Sequence, residues 1–245
     1  MQTPRTDQAL MVTLARSEAD VRAAQRLRWR VFVDELGARI ESPEPGLDAD
    51  RFDAHCDHLL VRETATGDVV GTYRMLPRDR VGRAGGFYAE SEFHLTRSPV
   101  LRRRTVEVGR ACVREDHRTG GVIGLLWSGL LRYLVDGRHE FAVGCASIGL
   151  GDDPPSTAAL CRRLVREHSS PPDWRVFPRR PLPWEARADE ISAPLPPLVK
   201  GYLRLGAWVC GEPAWDPAFH TADLLLLLPM ERLSQRHAAR LLRAA

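Results

Sequence analysis

The chain has 245 residues, of which 44% are hydrophobic and 27% are charged, and its formal net charge at pH 7 is +3. This composition is that of an ordinary globular domain and excludes collagen-like and disordered chains. Lys200 is the only lysine, so nearly all positive charge is arginine. A GC-rich genome accounts for that bias, and no nucleic-acid partner is expected from it.

The cysteines and the apolar runs indicate the compartment. The five cysteines are an odd number and form no C-x-x-C pair, which argues against a disulfide framework. Residues 1–12 carry polar and acidic residues where a signal peptide needs an apolar core. The longest apolar run, Leu224–Leu228, is too short to span a bilayer. We expect a cytoplasmic protein, with peripheral contact at the inner membrane face left open.

The first third of the chain has the pattern of a strand, a helix, a loop and a hairpin. Ser17, with Asp20 nearby, is suited to cap a helix, because its hydroxyl can accept a free backbone N–H. The sequence Thr66-Gly67-Asp68 predicts a hairpin turn. The predicted elements are a strand at 10–14, a helix at 18–34, a loop at 37–50 and paired strands at 59–63 and 69–76.

The central stretch, from Val106 to Asp136, predicts a strand, a glycine loop and a helix in that order. Apolar residues between Val106 and Val113 alternate around Glu107 and Arg110. The loop that follows contains paired glycines, and apolar residues then recur at helical spacing as far as a stop at Gly137. This order brings free backbone N–H groups and the positive end of a helix dipole to one point, which predicts an anion site.

The last part of the chain alternates strands and helices around a proline-rich segment. Residues 152–197 hold ten of the eighteen prolines, and we expect an extended covering segment there that is no stable domain by itself. The predicted elements are a strand at 141–147, helices at 156–168 and 198–205, strands at 207–210 and 222–228, and a tail helix from Met230. The pattern predicts an α/β fold with a mixed sheet in a single domain, 1–245, with the proline-rich insertion at about 152–197.

The glycine loop resembles the acyl-donor loop of GNAT acyltransferases, whose pattern Arg/Gln-x-x-Gly-x-Gly/Ala holds the pantetheine pyrophosphate. One glycine fits this pattern and the last small residue is replaced by Ile123. The alternative is a helix-entry turn of any α/β protein. The resemblance implies that no cofactor is resident and that the donor substrate is the phosphopantetheine arm of an acyl carrier protein, or acyl-CoA. The implied donor-binding residues are Arg118, Thr119, Gly120, Gly121 and Val122.

A sparse set of charged residues resembles that of acyl-homoserine lactone synthases, a GNAT branch that uses acyl carrier protein. The chain carries this set, in order, as Arg28 and Phe32, Asp50 and Asp53, Gly71 and Arg74, and Glu107 and Arg110. The sequence around these residues, which includes DHLLV, VVGTYRMLP, GFYAESEF and GYLRLGAWVCGEPAWD, is similar to sequences of the ornithine Nα-acyltransferase family. That resemblance covers roughly residues 26–228. It implies a GNAT-like, mostly antiparallel central sheet flanked by helices, and transfer of a 3-hydroxyacyl chain from acyl carrier protein to ornithine.

The resemblance also implies residue roles. Glu107, Arg110 and Asp53 are the implied catalytic residues, and Arg28, Phe32, Asp50 and Arg74 bind the amino-acid acceptor. N-acylation needs a base to remove the proton of the amine, and Glu107 can serve directly or through a water molecule. In the alternative interpretation Glu107 only pairs with Arg110 or Arg28. Likewise, the two aspartates either bind the acceptor together with arginines or are ordinary acids on a solvated loop.

Other signals leave several functions open. The run Arg102–Arg104 is either a docking site for an acidic carrier protein or a solvated face. The sequence His55-Cys56-Asp57-His58 lacks a third ligand at matching spacing, so no metal site is expected. The alternatives are an N-acyl amino acid or acyl-homoserine lactone-type synthase, an acetyl-CoA-dependent acetyltransferase, or a non-catalytic basic binding module.

Overall fold

The structure, a computed structural model, describes residues 9–95, 105–118, 120–185, 193–234, 236 and 238–239. Its helices are α1 (Glu18–Trp29), α2 (Gly121–Asp136), α3 (Pro154–Glu167) and α4 (Pro197–Leu205). Its strands are β1 (Leu10–Leu14), β2 (Asp57–Glu63), β3 (Val69–Leu76), β4 (Phe93–His94), β5 (Thr105–Val113), β6 (Phe141–Gly149), β7 (Phe177–Pro178), β8 (Trp208–Val209), β9 (Ala214–Asp216) and β10 (Thr221–Pro229).

Eight of these strands form one mixed sheet in the order β1-β2-β3-β5-β6-β10-β8, with β9 also paired to β10. Neighbouring strands are antiparallel except β5 and β6, which are parallel. The small strands β4 and β7 form a second, two-stranded sheet. The predicted α/β class with a mostly antiparallel, GNAT-like sheet is therefore confirmed.

The predicted start of the first helix is confirmed in detail. Ser17 accepts the backbone N–H of Asp20, and the Asp20 carboxylate accepts the N–H of Ser17, so two free donors of the first turn are satisfied. The α-helix ends at Trp29, and the chain then continues as a π-helical turn, Arg30–Glu35. Wide turns of this kind occur mainly at functional sites, and this one carries Phe32.

Helices α1 and α2 lie on opposite faces of the sheet, and β3 contacts both. A Cβ added at Gly71 would lie 2.5 Å from Val122 Cγ1 of α2, so the absence of a side chain lets α2 pack closely. Arg74, three positions along the same strand, points to the opposite face because side chains alternate along a strand. Its guanidinium meets the carboxylates that α1 also contacts.

Strand β10 is buried on both faces, which explains its continuous run of leucines. Leu224, Leu226 and Leu228 belong to the larger core beneath α2 and α4, whereas Leu225 and Leu227 belong to a smaller core with Phe52, Phe87 and Phe93. A strand covered on both sides loses the apolar–polar alternation of a half-exposed strand. None of the described helices is long and apolar enough to cross a membrane.

The proline-rich segment starts as α3, and the described chain that follows pairs with two other parts of the fold. Strand β7 pairs with β4, and Pro181 forms an isolated bridge with Ala214. Residues 186–192 lie outside the described part of the chain. The covering role of this segment and the single-domain organisation stay predictions. The predicted tail helix begins as a 3-10 turn, Met230–Arg232, and most residues beyond 234 lie outside the description.

Candidate active site

A cleft opens in the sheet where β5 and β6 separate. The two strands pair only from Thr105 and Phe141 to Glu107 and Val143. Their backbones still touch at the fork, since a Cβ at Gly144 would lie 2.3 Å from the Val108 carbonyl oxygen. Beyond it lies a cavity of about 580 Å³, hereafter the cleft. Its apolar lining includes Phe32, Leu36, Leu76, Leu150, Leu198 and Tyr202.

A β-bulge in β5 turns Arg110 toward this cleft. Arg74 of β3 pairs with Gly109 and Thr72 pairs with Cys112, so one residue of β3 faces two residues of β5. Arg110, within the bulge, has φ 52°, a left-handed conformation that costs a residue with a side chain about 1–2 kcal/mol. Strained backbone of this kind persists where surrounding contacts hold it.

Three arginines and three aspartates form what we call the Arg–Asp cluster: Arg28, Asp48, Asp50, Asp53, Arg74 and Arg110. Arg28 is fully buried. Its Nε lies 3.0 Å from Asp48 Oδ2 and its Nη2 lies 2.7 Å from Asp53 Oδ2. Asp48, which is also buried, was not among the predicted site residues and is the third acid that balances the three arginines.

The second half of the Arg–Asp cluster is built around Arg74. Its Nη1 lies 2.7 Å from Asp50 Oδ1 and 2.9 Å from Asp53 Oδ1. Arg110 completes the set at longer range, 3.7 Å from Asp50 Oδ2. Burial alone would raise the pKa of Asp53, but the guanidinium groups of Arg28 and Arg74 hold it well below the usual range. The alternative of two solvated loop acids is thus not the arrangement found.

Glu107 lines the cleft, and the two arginines that the alternative interpretation paired with it, Arg28 and Arg110, pair with aspartates instead. Its Oε2 and Oε1 accept the backbone N–H groups of Tyr88 and Ala89, at 2.6 and 2.7 Å. Burial raises the pKa of Glu107 to about 7, although those two donors act in the opposite direction. A carboxyl group with this pKa, lining a cavity, can accept a proton near neutral pH.

Aromatic rings surround the guanidinium of Arg110. Its Cζ lies 4.9 Å from the ring centroid of Phe219, 5.2 Å from that of Tyr88 and 6.0 Å from that of Phe32. Phe32 and Phe219 also contact each other edge to face, with centroids 5.6 Å apart. Cation–π contacts of this kind fix a charged group with little water around it. Phe32 thus lies in the site and orients Arg110.

The predicted donor loop lies at the N-terminus of α2. Gly120 has φ 99° at the N-cap position and α2 begins at Gly121, so the loop supplies free backbone N–H groups at a helix start. The Nε of Arg118 donates to the Val113 carbonyl, and its Nη2 pairs with Glu35. Val122 is buried against β3. Thr119 lies outside the described residues.

A second, polar cavity of about 550 Å³ adjoins the cleft. The two cavities share Tyr88, Arg110, Asp216 and Phe219 in their walls. Among the other residues that line the polar cavity are Arg39, Asp48, Asp50, Glu92, Arg179, Arg180 and Trp215. Charged groups of both signs thus surround a space that meets the apolar cleft at Arg110.

The predicted site did not include three acids that lie next to it: Glu92, Asp216 and Asp223. Asp223 is buried within β10, and an acid at the start of a leucine-rich strand was a signal that could have been used. Asp216 ends β9. Glu92 follows the turn that holds Glu107, and its sequence context gives no such signal.

The buried histidine and cysteines near the site have surroundings that favour structural roles over catalytic ones. His58 is buried and its Nε2 lies 3.2 Å from the Asp53 carbonyl oxygen, so it supports the loop of the Arg–Asp cluster. Burial raises the pKa of the thiols of Cys56 and Cys112 to about 12. A thiol with this pKa is a poor nucleophile at neutral pH.

Comparisons with known proteins agree with this geometry. Residues 27–128 match the acetyltransferase (GNAT) domain family. The L-ornithine N(alpha)-acyltransferase of Brucella abortus (strain 2308) is 39% identical over 246 residues, which cover 94% of this chain and 87% of the relative. The enzyme of that name from Rhizobium meliloti (strain 1021) is 40% identical over 248 residues, covering 93% and 82%.

Solved structures show the same fold at low identity. The CoA-dependent acyl-homoserine lactone synthase BjaI, with SAM and isopentyl-CoA, superposes with a TM-score of 0.55 at 16% identity, over 95% of this chain and 88% of that one. The predicted GNAT-like fold and the predicted ornithine Nα-acyltransferase family are thereby confirmed. The protein is an acyltransferase of the GNAT fold, and the chain belongs to the L-ornithine N(alpha)-acyltransferase family.

Proposed function

We propose that this protein transfers a 3-hydroxyacyl chain from acyl carrier protein to the α-amine of L-ornithine, giving lyso-ornithine lipid. The observation that carries the proposal is the meeting of an apolar cleft and a polar cavity at Arg110, with Glu107 in the wall of the cleft. The names of the relatives supply ornithine as the acceptor. The carrier protein as donor follows from the sequence resemblance.

The cleft suits an acyl thioester. Beyond Glu107 and Val143 the β5–β6 ladder ends, so backbone groups on the facing edges are free to bind the amides of a pantetheine arm. Gly120, Gly121 and Val122 add backbone N–H groups at the start of α2 for the phosphate. A cavity of about 580 Å³ with leucine and phenylalanine walls favours an acyl chain longer than acetyl.

The polar cavity suits the amino acid. Its arginines, Arg39, Arg179 and Arg180, can bind the acceptor carboxylate, because a guanidinium matches a carboxylate in both charge and shape. Arg110 stands where the two cavities meet, so it faces both substrates. In this proposal Asp50, Asp53, Arg28 and Arg74 hold Arg110 and the acceptor wall in place through the ion pairs of the Arg–Asp cluster.

The reaction requires few protein groups. The neutral α-amine attacks the thioester carbon, a C–N bond forms, and the carbonyl oxygen becomes an oxyanion near the free backbone N–H groups of β5. Glu107 accepts the proton of the amine, directly or through water. The C–S bond then breaks, and the pantetheine thiolate leaves with a proton returned by Glu107. No covalent enzyme intermediate is needed.

The proposal is tested by incubating purified protein with L-ornithine and one donor at a time. The donors are 3-hydroxyacyl carrier protein, the matching 3-hydroxyacyl-CoA and acetyl-CoA, and mass spectrometry follows N-acylornithine and the released thiol. We expect product and thiol in equal amounts, with the carrier form used most efficiently. A higher kcat/KM with the CoA thioester would show that acyl-CoA, and not the acyl carrier protein, is the donor. Turnover of acetyl-CoA alone would favour an acetyltransferase, and no product with any donor would refute the proposal.

A further inference from the structure

Three carboxylates gather at the wall that the two cavities share. Glu92, Asp216 and Asp223 form what we call the acid cluster, and one oxygen of each lies within 4.8 Å of the others. Glu92 lines the polar cavity, Asp223 lines the cleft, and Asp216 lines both. The acid cluster therefore borders the space where the donor and the acceptor would meet.

The acid cluster lacks the cations that neutralise the nearby Arg–Asp cluster. Within the described part of the chain, no arginine or lysine lies within 4.0 Å of the three carboxylates. Both Glu92 oxygens are buried and neither has a hydrogen-bond partner of normal geometry among the described residues, although the Cys145 thiol and the Asp223 carboxyl group lie beside them. Asp223 is only 3% exposed; the hydroxyl of Thr221 donates to it, and the hydroxyl of Ser147 lies beside it.

Such an arrangement is unfavourable without a ligand. Burial and the neighbouring carboxylates raise the pKa of both Glu92 and Asp223, which reflects the cost of placing negative charges together away from water. A buried carboxylate with an unsatisfied oxygen is expected to have a partner. A cation with several hydrogen-bond donors, entering from one of the cavities, would satisfy these oxygens.

We infer that the acid cluster binds the side-chain ammonium of the diamino-acid acceptor and so selects the acceptor. This inference rests on the proposed function, because it takes ornithine as the amino acid. An ammonium group has three N–H donors, one for each of the three carboxylates. The aromatic rings of Trp215 and Phe219, which also line the polar cavity, can cover the methylene chain.

The charge pattern of the polar cavity favours an amino acid over a metal ion. Arginines line the cavity and the acid cluster borders it, so a molecule with a carboxylate and a distant ammonium satisfies both. A divalent cation would neutralise the acids but would leave the side-chain ammonium without a binding site.

The test compares ornithine with norvaline, which has the same carbon chain without the ammonium. The wild-type protein should prefer ornithine by a factor on the order of 10⁴ in kcat/KM, since a site built for a charged donor rejects an analogue that lacks it. Glu92→Gln should lower this ornithine-to-norvaline ratio about 100-fold, and Asp223→Asn should lower it similarly. Glu212→Gln, an equivalent change at an exposed position, should leave the ratio unchanged.

Stability separates this role from a structural one. Because burial and the neighbouring carboxylates raise the pKa of Glu92 to about 9, the group is protonated at pH 7 without a ligand, and Glu92→Gln should not lower Tm. Equal losses with ornithine and norvaline would overturn the inference and leave the proposed function standing. Loss of wild-type activity in EDTA, restored by Mg²⁺ or Mn²⁺, would also overturn it in favour of a metal. Failure of the wild-type protein to acylate either amino acid would refute the proposed function itself and the inference with it.

Discussion

Asp53 is the position where replacing a single side-chain atom, as in Asp53→Asn, should lower the free energy of unfolding most. It accepts hydrogen bonds from Arg28 at 2.7 Å and Arg74 at 2.9 Å, and a third from Gln25 at 3.0 Å. Asp53→Asn keeps the shape but leaves two aspartates to balance three arginines in the Arg–Asp cluster. Removing one partner of a buried ion pair costs about 3–5 kcal/mol, and Asp53 is only 6% exposed, so solvent screening lowers this figure little.

Equilibrium unfolding in urea at pH 7, followed by circular dichroism, measures this cost. The matched control is Asp68→Asn, because the Asp68 side chain is 62% exposed and lies 3.5 Å from Arg114. An exposed pair contributes no more than about 1 kcal/mol. We therefore expect Asp53→Asn to lower the free energy of unfolding several times more than the control. Equal losses in the two variants would refute the interpretation of a tightly coupled buried cluster.

The pH dependence of the difference in unfolding free energy between wild type and Asp53→Asn gives an independent check. The folded-state pKa of Asp53 is lowered from its ordinary value of 3.8. A group of this kind contributes its full stability above its unfolded-state pKa, and that contribution is lost as the pH falls through the folded-state pKa. The gap between wild type and Asp53→Asn should thus be constant around neutral pH and narrow only in acid below about pH 4.

Three further variants test the proposed catalytic parts. Glu107→Gln should lower kcat about 100-fold or more; wild-type kcat/KM should rise with pH through about 7, and a variant that kept this dependence would exclude Glu107 as the base. Gly121→Asp should leave Tm unchanged or raise it, because an acidic side chain is favourable at a helix N-terminus. It should also raise KM for the donor, because the carboxylate repels the donor phosphate. Unchanged turnover would show that the loop is not part of the site. Replacing Arg102–Arg104, which lie outside the described residues, with glutamates should raise KM for the carrier protein. The increase should be smaller at high salt, since exposed charges are screened over roughly 10 Å at 0.1 M. A KM that changes neither with these substitutions nor with salt would indicate a solvated face.

Local periodicity was enough to predict most elements but not how the site opens. The strands at Leu10–Leu14 and Val69–Leu76 have the predicted bounds, because alternation and turn residues act over a few neighbours. Strands β5 and β6 pair no further than Glu107 and Val143, and their last close contact joins Val108 and Gly144. A contact between distant positions leaves no periodic signal in either segment.

The charged residues show the same limit. Arg28, Asp53 and Arg74 could be selected by resemblance, and the structure brings them together. Asp48 could not, because it is one of many acids in a loop, and its burial depends on how that loop packs against α1. The alternative interpretation paired Glu107 with Arg110 or Arg28, but the backbone of the turn at Tyr88 satisfies it instead. The topology of the fold determines which charged residues pair with each other, and the sequence pattern does not predict these pairs.

The bulge in β5 connects these features physically. An unbroken strand would alternate its side chains regularly, whereas the extra residue re-aims Arg110 and leaves it with φ 52°. Contacts with Phe219, Tyr88 and Asp50 offset that strain. The bulge begins two residues beyond Glu107, where the β5–β6 ladder ends. One irregularity thus accompanies the opening of the cleft and holds a guanidinium where the cleft meets the polar cavity. Two substrates of different polarity could then approach from separate sides and meet beside Glu107.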